Sequence, residues 1–509
     1  MSDRQPDIIF FMLDQLSAKW LETGLAGVVG LPNFKKVISA GTYFTNCITS
    51  NPLCCPARAT LATGLTTRMH GVLQNGFHLD PQIPTFMQAL QNSGYRTAAL
   101  GKVHHHPHWE SLAPDYRDYG YHEQHITEDA RGGEWLDWIR SEHPEHASAV
   151  YSTIWARDIP EFAHYGPAGE NLASQISKQP RLQGSYELPF PEQICQTNWI
   201  TAKAIDFLDG ENPNQSLMAH ISYVQPHDPF APPCGYRQYV NLDKIPLPLK
   251  AEWSNDPLGP TCFRSLSQKS SQEGHLDIPE HWQFDREHYF ADLAHLDQQL
   301  GTVLSAIEKR GGLDNNYLIL LSDHGEMLHD HGLRSKGEMH YDACIRVPLV
   351  IAGPNVLSAQ IVDEFVQLED IAPTVFEIAD MTIPTPLSMR LKLEHKTFPG
   401  SSLMPLCKGL MPSDWRQHAY CESYNNIDSN TPANWARTVR NKDWRYTLYP
   451  HEQGEQLFHI SEDCDEQYNL AGNNDFNTVK RELKDLLLES IILQDYPQTP
   501  RSRFAYDVH

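Results

Sequence analysis

The residues that could carry out chemistry are concentrated around two adjacent cysteines, in the stretch Asn51–Gly64. If a helix starts at Cys54, Arg58 follows it by about one helical turn, so its guanidinium could hold an oxygen bound beside residue 54. The first turn of such a helix also presents backbone N–H groups that suit an anion. Cysteine is often simply a small buried residue, so an inert pair at a loop–helix junction is the alternative.

Further candidate groups stand where apolar stretches end. Four stretches are apolar enough for buried parallel strands, namely Ile8–Leu13, Tyr95–Leu100, Leu217–Val224 and Tyr317–Leu321. The groups that follow them are, in the same order, Asp14 with Gln15, Lys102 with His104, His227, and Asp323 with His324. Ligands of open α/β sheets bind beyond the carboxyl ends of the strands, so these side chains are predicted to meet there. Taken alone, Asp14 could instead cap a helix.

Between these strands the sequence predicts helices, the clearest being an amphipathic helix over Tyr289–Arg310. The predicted fold class is therefore α/β, with a large mixed sheet sandwiched by helices. After about residue 400, short strand-like pieces precede a helix over Asn477–Leu493, which predicts a smaller C-terminal antiparallel sheet plus helix. We expect a catalytic α/β domain over residues 1–400 and an α+β subdomain over residues 401–509.

Composition excludes several classes of function. The chain has 509 residues and a net charge of -24, which makes nucleic acid and anionic membranes unsuitable partners. Its cysteines show no paired spacing, which in a chain of this size indicates reduced thiols rather than a disulfide framework. No apolar run approaches the length of a membrane span, and no signal peptide is visible. We therefore expect a cytoplasmic protein without a membrane partner.

The cysteine motif resembles that of a known enzyme family. Cys54, Pro56 and Arg58, in the order Cys-x-Pro-x-Arg and followed by Thr63-Gly64, resemble the signature of the formylglycine-dependent sulfatases of the alkaline phosphatase superfamily. Cys55 lacks proline and arginine at the matching distances. Similar motifs elsewhere are Gly101-Lys102-Val103-His104, Pro226-His227-Asp228-Pro229 and the lysine Lys336. The pairs Asp14-Gln15 and Asp323-His324 look like the branch that contains choline sulfatases and phosphonate monoester hydrolases.

The resemblance implies an alkaline phosphatase-like fold and a special chemistry for Cys54. A formylglycine-generating maturation enzyme would oxidise this residue to C-alpha-formylglycine, whose hydrate is a geminal diol. Beside a divalent cation, one hydroxyl loses its proton near neutral pH and attacks the sulfur of the ester. The second hydroxyl then allows an elimination that expels sulfate and restores the aldehyde.

The resemblance also implies a role for each of the other motif residues. The expected ligands of one divalent metal are Asp14, Gln15, Cys54, Asp323 and His324. Arg58 and Lys102 are expected to bind the ester. His104 is expected to take the proton in the elimination, whereas His227 and Lys336 are expected to assist the departing alcohol.

The predicted function is therefore hydrolysis of a small-molecule sulfate ester. Hydrolysis of a phosphonate monoester or phosphodiester by the same site is the runner-up, and a binding protein without catalysis would be expected to lack at least one of these groups. Asn75 could donate its amide to the ester, with a plain Asn-Gly turn as the equal alternative. Ca²⁺ is the expected metal and Mn²⁺ the alternative, since a histidine ligand suits Mn²⁺ better. The polar tail from Tyr496 on could form a homo-oligomer contact.

Overall fold

The computed structural model describes residues 4–108, 110–112, 114–154, 160–165, 185–210, 212, 214–250, 260–261, 263, 279–382, 399–424, 435–450 and 454–494. The tail from Tyr496 on, for which a contact with a neighbouring subunit is predicted, lies outside the described residues. Within these ranges, none of the helices combines the length and the apolar character that crossing a membrane requires.

The main element of the described chain is a sheet of nine strands. They are β1 (Ile8–Leu13), β2 (Thr42–Ile48), β3 (Arg96–Gly101), β4 (Glu123–Ile126), β5 (Leu217–Ser222), β6 (Tyr317–Ser322), β7 (Arg346–Ala352), β8 (Gln360–Val362) and β9 (Val366–Gln367). Their order is β4-β3-β5-β1-β6-β7-β2-β8, and β9 also pairs with β2. Strand β7 is antiparallel to β6 and β2, whereas the other pairs are parallel, so the predicted mixed sheet is confirmed.

The sheet is buried on both faces, as strand β1 illustrates. Ile9 and Phe11 belong to one hydrophobic core, whereas Ile8, Phe10 and Met12 belong to a second core on the opposite face. Successive side chains of a strand point to opposite faces, so a strand covered on both sides has to be apolar throughout. This explains why the stretch carries no polar residue before Asp14.

Helices cover both faces of this sheet. They are α1 (Ala18–Thr23), α2 (Pro32–Ala40), α3 (Cys54–Thr63), α4 (Thr67–His70), α5 (Phe86–Asn92), α6 (Glu134–Glu142), α7 (Ala147–Ser152), α8 (Gln196–Leu208), α9 (Pro279–Lys309), α10 (Asp342–Ile345), α11 (Ile371–Ile378) and α12 (Met404–Cys407). The helix predicted from Tyr289 on is part of α9, which begins ten residues earlier. Buried side chains of α2, α8 and α9 lie in the first core, and those of α3, α5 and α11 in the second.

A second, antiparallel sheet follows in sequence. Its strands pair in chain order as β10 (His418–Ser423), β11 (Ala436–Asn441), β12 (Trp444–Tyr449) and β13 (Gly454–His459). Helix α13 (Asn477–Leu493) packs Leu483 and Leu487 against one face of this sheet, where Val439 and Leu457 are buried. The predicted small C-terminal sheet with one helix is confirmed, whereas the division into domains at residue 400 stays a prediction.

Candidate active site

The carboxyl ends of neighbouring parallel strands meet at one edge of the large sheet. Strands β3, β5, β1 and β6 are adjacent in that order, and each pair is parallel. The candidate groups that follow these strands are Lys102 and His104 after β3, His227 after β5, Asp14 and Gln15 after β1, and Asp323 and His324 after β6. The structure therefore brings together the side chains that the ends of the apolar stretches singled out.

Three of these side chains form a compact, buried cluster with Cys54. One ligand atom from each of Asp14, Cys54, Asp323 and His324 lies within 4.8 Å of the other three. The sulfur of Cys54 lies 3.1 Å from His324 Nε2 and 3.8 Å from Asp14 Oδ1. His324 Nε2 is also 3.5 Å from Asp14 Oδ1 and 3.8 Å from Asp323 Oδ1.

This donor set fits one divalent cation. It contains two buried carboxylates and an imidazole nitrogen, which are donor types that divalent cations bind in proteins. His324 Nδ1 lies 3.1 Å from the carbonyl oxygen of Gly325, an arrangement that leaves Nε2 free to face the cluster. Carboxylate oxygen suits Ca²⁺, and a mixed oxygen and imidazole set suits Mn²⁺, so the preference for Ca²⁺ stays a prediction.

Gln15 lies beside the cluster in a left-handed backbone conformation, with φ of 64°. Its backbone N–H donates to Asp323 Oδ1 at 3.1 Å, which ties the end of β1 to the end of β6. Its side-chain oxygen accepts a hydrogen bond from Lys336, while its amide nitrogen donates to Glu326 and, at 3.3 Å, to Asp228. Such strained backbone is typical of functional sites, but the role of Gln15 as a metal ligand stays a prediction.

The two adjacent cysteines have different surroundings. Helix α3 starts at Cys54 and ends at Thr63, and the next residue, Gly64, terminates it in a left-handed conformation. The Cys54 sulfur faces His324, whereas the Cys55 thiol points elsewhere and donates to the carbonyl oxygen of Phe77 at 3.3 Å. Burial, with the neighbouring charge of Cys54, raises the pKa of the Cys55 thiol, which disfavours its reactive thiolate. Of the two cysteines, Cys54 is therefore the one whose thiol lies among the candidate metal ligands.

Asn75 contacts the backbone of the same motif. Its half-buried side chain accepts a hydrogen bond from the Cys55 N–H through Oδ1 at 3.0 Å. The first N–H groups of a helix have no partner inside the helix, so this contact stabilises the start of α3. Its predicted role as a donor to the ester stays a prediction.

Arg58 is held between the acids of the cluster. Its Nε donates to Asp323 Oδ2 at 2.8 Å, and its Nη2 donates to Asp14 Oδ2 at 3.4 Å. Its Nη1 donates to the Lys102 carbonyl oxygen and to Ser222 Oγ, both at 2.9 Å. Burial lowers the pKa of Arg58, but the carboxylates of Asp323 and Asp14 outweigh this effect and raise it. The guanidinium is therefore charged and fixed in orientation one turn after Cys54.

Lys102 connects this cluster to an acid that the sequence analysis missed. The ammonium group donates to Asp14 Oδ2 and, at 2.5 Å, to Asp129 Oδ1. Burial lowers the pKa of Lys102, but Asp129 and Asp14 outweigh it and raise the value. Burial raises the pKa of Asp129, but the nearby Lys102 and His108 outweigh this effect, so the pKa is lowered overall. Both groups are therefore ionised near neutral pH.

His104 is buried at the end of β3 with φ of 54°. Its backbone N–H donates to Glu128 Oε1 at 2.9 Å, and its ring stacks on that of His108 with centroids 3.5 Å apart. Neither ring nitrogen makes a hydrogen bond to the described residues. Burial lowers the pKa of His104, and the nearby His108 lowers it further. The ring is therefore neutral, which is the form that can accept a proton.

His227, which follows β5, also lies close to Asp129. Its Nδ1 is 2.7 Å from the carbonyl oxygen of Asp228, and its Nε2 is 3.8 Å from Asp129 Oδ2. Burial and the ammonium of Lys336 lower the pKa of His227, but Asp129 and Asp228 outweigh them and raise it. A protonated imidazole is favoured as a result, which suits a proton donor.

Lys336 reaches the site from the loop between β6 and α10. The adjacent N–H of Gly337 donates to the Pro52 carbonyl oxygen at 3.2 Å, which joins this loop to the cysteine motif. Burial lowers the pKa of Lys336, but the nearby acidic groups of Cys54, Asp14 and Asp228 together outweigh this effect and raise it. The structure therefore brings a buried cation to the side of the cluster that also holds Gln15.

The sequence analysis assigned no role to four acids near the site, namely Glu128, Asp129, Asp228 and Glu326. The only available signal was that an acidic pair, Glu128-Asp129, comes just after the short edge strand β4. Glu128 accepts hydrogen bonds from the N–H groups of Val103 and His104, so its role is to hold the loop after β3.

Comparison with protein-family models gives two matches. The model described as Sulfatase matches residues 6–381. The model described as N-sulphoglucosamine sulphohydrolase, C-terminal, matches residues 329–492, which include the whole second sheet and most of α13.

Individual proteins similar to the chain agree with these matches. An arylsulfatase of Clostridium perfringens is 25% identical over 96% of this chain and 94% of its own length. A choline-sulfatase of Rhizobium meliloti is 26% identical over 93% of this chain and 84% of its own length. Among solved structures, a phosphonate monoester hydrolase from Silicibacter pomeroyi has a TM-score of 0.77 at 22% identity, covering 97% of this chain and 96% of its own. At that identity the structural likeness establishes the fold alone.

Proposed function

The chain belongs to the sulfatase family, and we propose that it hydrolyses a sulfate ester to an alcohol and inorganic sulfate, with residue 54 as the nucleophile after oxidation to formylglycine. The observation that carries the proposal is the position of Cys54. Its sulfur lies at the start of α3, against Asp14 and His324. Arg58 and Lys102 supply positive charge for an anionic ester at the same place.

The aldehyde at residue 54 adds water to form a geminal diol. One hydroxyl oxygen attacks the sulfur of the ester, the S–O bond to the alcohol breaks, and the alcohol leaves with one proton. The remaining hydroxyl then loses its proton as the bond between the diol carbon and the sulfated oxygen breaks. This elimination releases sulfate and restores the aldehyde, so each turnover consumes one water molecule.

One divalent cation, held by Asp14, Asp323 and His324 with Gln15 as a further ligand, would supply charge that favours ionisation of the diol. The oxygen donors make Ca²⁺ our preferred metal, with Mn²⁺ as the alternative.

The buried basic side chains divide the remaining tasks. Arg58 and Lys102 orient the negatively charged sulfuryl oxygens, since both are ionised and fixed by acids. His104, neutral and without a hydrogen-bond partner among the described residues, accepts the proton of the second hydroxyl in the elimination. His227 donates a proton to the departing alcohol, and Lys336 stabilises the charge on that oxygen.

Replacing His227 with alanine is expected to affect alkyl sulfates far more than 4-nitrophenyl sulfate. A poor leaving group needs a proton in the transition state, and losing a general acid removes about a hundredfold or more in rate. Nitrophenolate leaves well without one, so a loss of less than about tenfold is expected for it. Steady-state kinetics on both esters provide the measurement, with His106→Ala as a control on a histidine that bonds to Tyr119 instead. Equal losses on both esters would assign His227 to binding alone.

Substrate class is tested on matured enzyme with three 4-nitrophenyl compounds: the sulfate, the phenylphosphonate and a phosphodiester. All three carry a single negative charge, so a cation with Arg58, Lys102 and Lys336 could accept each of them. We expect measurable activity on more than one class, with the sulfate ester dominant by kcat/KM. A preference of about a hundredfold for the phosphonate, roughly 2.7 kcal/mol in transition-state binding, would replace the proposed function with phosphonate hydrolysis.

A further inference from the structure

Asp129 puts a carboxylate among the groups proposed to act on the ester. Its Oδ1 accepts a hydrogen bond from Lys102 Nζ at 2.5 Å, and its Oδ2 lies 3.8 Å from His227 Nε2 and 3.5 Å from His108 Nδ1. A carboxylate oxygen of Asp129 also lies within 4.8 Å of the Cys54 sulfur. One acid therefore faces the nucleophile, the ester-binding lysine and the proposed proton donor together.

The negative charge of Asp129 is a fixed part of this site. The side chain is 5% exposed, and its lysine partner is fully buried, so neither group can turn towards solvent without breaking their ion pair. Charges that are buried in this way are screened weakly by salt. One carboxylate oxygen contacts Lys102 and the other faces His227, so an anion bound between these two side chains lies close to Asp129.

The effect of this charge depends on the charge of the ligand. Repulsion between Asp129 and a bound anion grows in proportion to the charge on the anion. A sulfate monoester carries one negative charge, whereas a phosphate monoester carries nearly two at neutral pH. Inorganic sulfate, the product, carries two. Asp129 therefore opposes binding of a phosphate monoester and of the product more than binding of the substrate.

We propose that Asp129 is a specificity-determining residue that restricts the site to singly charged esters and weakens its hold on the dianionic product. This inference rests on the proposed function, which supplies the positions of ester and product. It extends that function, because it names the feature of this chain that excludes phosphate monoesters and speeds release of sulfate.

The first test compares wild-type and Asp129→Asn enzymes, both matured, on 4-nitrophenyl sulfate, phosphate and phenylphosphonate. In the variant the ratio of kcat/KM for the phosphate to that for the sulfate is expected to rise at least about tenfold. The ratio for the singly charged phenylphosphonate to the sulfate is expected to stay within about threefold. An unchanged phosphate ratio, or an equal rise for the phosphonate, would overturn the proposal.

Two matched variants separate charge from geometry. Asp129→Glu keeps the charge, so its ratios should remain those of the wild type even if all rates fall. Asp228→Asn removes one charge on the other side of His227, and its phosphate ratio should rise less than that of Asp129→Asn. If Asp129→Asn and Asp228→Asn raise the ratio equally, selection depends on total charge and not on Asp129. If Asp129→Asn fails to fold, Asp129→Ser removes the same charge.

A binding measurement does not depend on turnover. Inorganic sulfate is titrated by calorimetry into metal-loaded protein that retains unmodified Cys54, and the dissociation constant is expected to be at least about tenfold lower for Asp129→Asn than for the wild type. Equal dissociation constants would contradict the proposal. If matured enzyme hydrolyses none of the three esters, the proposed function fails, while this titration still decides whether Asp129 repels a dianion.

Discussion

Replacing Cys54 with alanine is expected to reduce kcat/KM for a sulfate ester by at least about a thousandfold, whereas Cys55→Ala is expected to keep most of the activity. Only the Cys54 sulfur faces the acidic cluster, since the Cys55 thiol donates to the Phe77 carbonyl oxygen. Without a nucleophilic oxygen on residue 54, the remaining groups bind the ester but form no covalent intermediate. Both variants would be produced with a maturation enzyme and assayed on 4-nitrophenyl sulfate.

Cys55→Ala is the matched control, because both cysteines are fully buried in the first turn of α3 and each substitution removes the same atom. Thermal unfolding of the two variants shows whether the fold is preserved. Activity that survives in Cys54→Ala would contradict the assignment. So would a loss of activity in Cys55→Ala at an unchanged unfolding temperature.

Replacing Asp323 with alanine is expected to remove the metal and to lower the rate by at least about a hundredfold, since even losing an outer-shell partner of a metal ligand costs up to that much. Asp323 lies in the acidic cluster and also accepts a hydrogen bond from Arg58 Nε at 2.8 Å. The variant therefore loses one ligand of the metal. It also releases the Arg58 guanidinium, which orients the ester. Elemental analysis of the purified protein, together with kinetics at saturating metal, measures both effects.

A buried carboxylate away from the site provides the control. Asp297 accepts hydrogen bonds from the N–H groups of Asn33 and Phe34 at the start of α2. Asp297→Ala should therefore lower the free energy of unfolding by about 1 kcal/mol, as for a lost helix cap, without changing the metal content. Metal bound in full by Asp323→Ala would show that the ion lies elsewhere.

Much of this fold and site could be predicted from strand ends. A strand buried on both faces has no polar position, so the first polar residue after Ile8–Leu13 marks the edge of the sheet. The same reasoning located Lys102, His227 and Asp323, because parallel neighbours end at the same edge. Helix α3 could be placed because its motif has a fixed spacing from Cys54.

Asp129 could not be predicted from the sequence, for a physical reason. It follows β4, an edge strand of four residues in which three positions are only partly buried. No apolar run in the sequence therefore indicates a strand end before Asp129. Its contacts with Lys102 and His227 are made by residues far apart in sequence. The start of α9 was missed similarly, since its first turns are rich in polar and aromatic residues and lack the regular leucine spacing that begins at Leu293.

The central claim is that turnover depends on an aldehyde at residue 54, and one measurement tests it most directly. Enzyme is produced with graded amounts of a maturation enzyme, and the aldehyde fraction of the peptide that contains Cys54 and Cys55 is quantified by fragment mass spectrometry. The rate of 4-nitrophenyl sulfate hydrolysis is measured on the same samples. We predict a rate proportional to the aldehyde fraction at Cys54 and no aldehyde at Cys55. Full activity in protein with unmodified Cys54 would contradict the account.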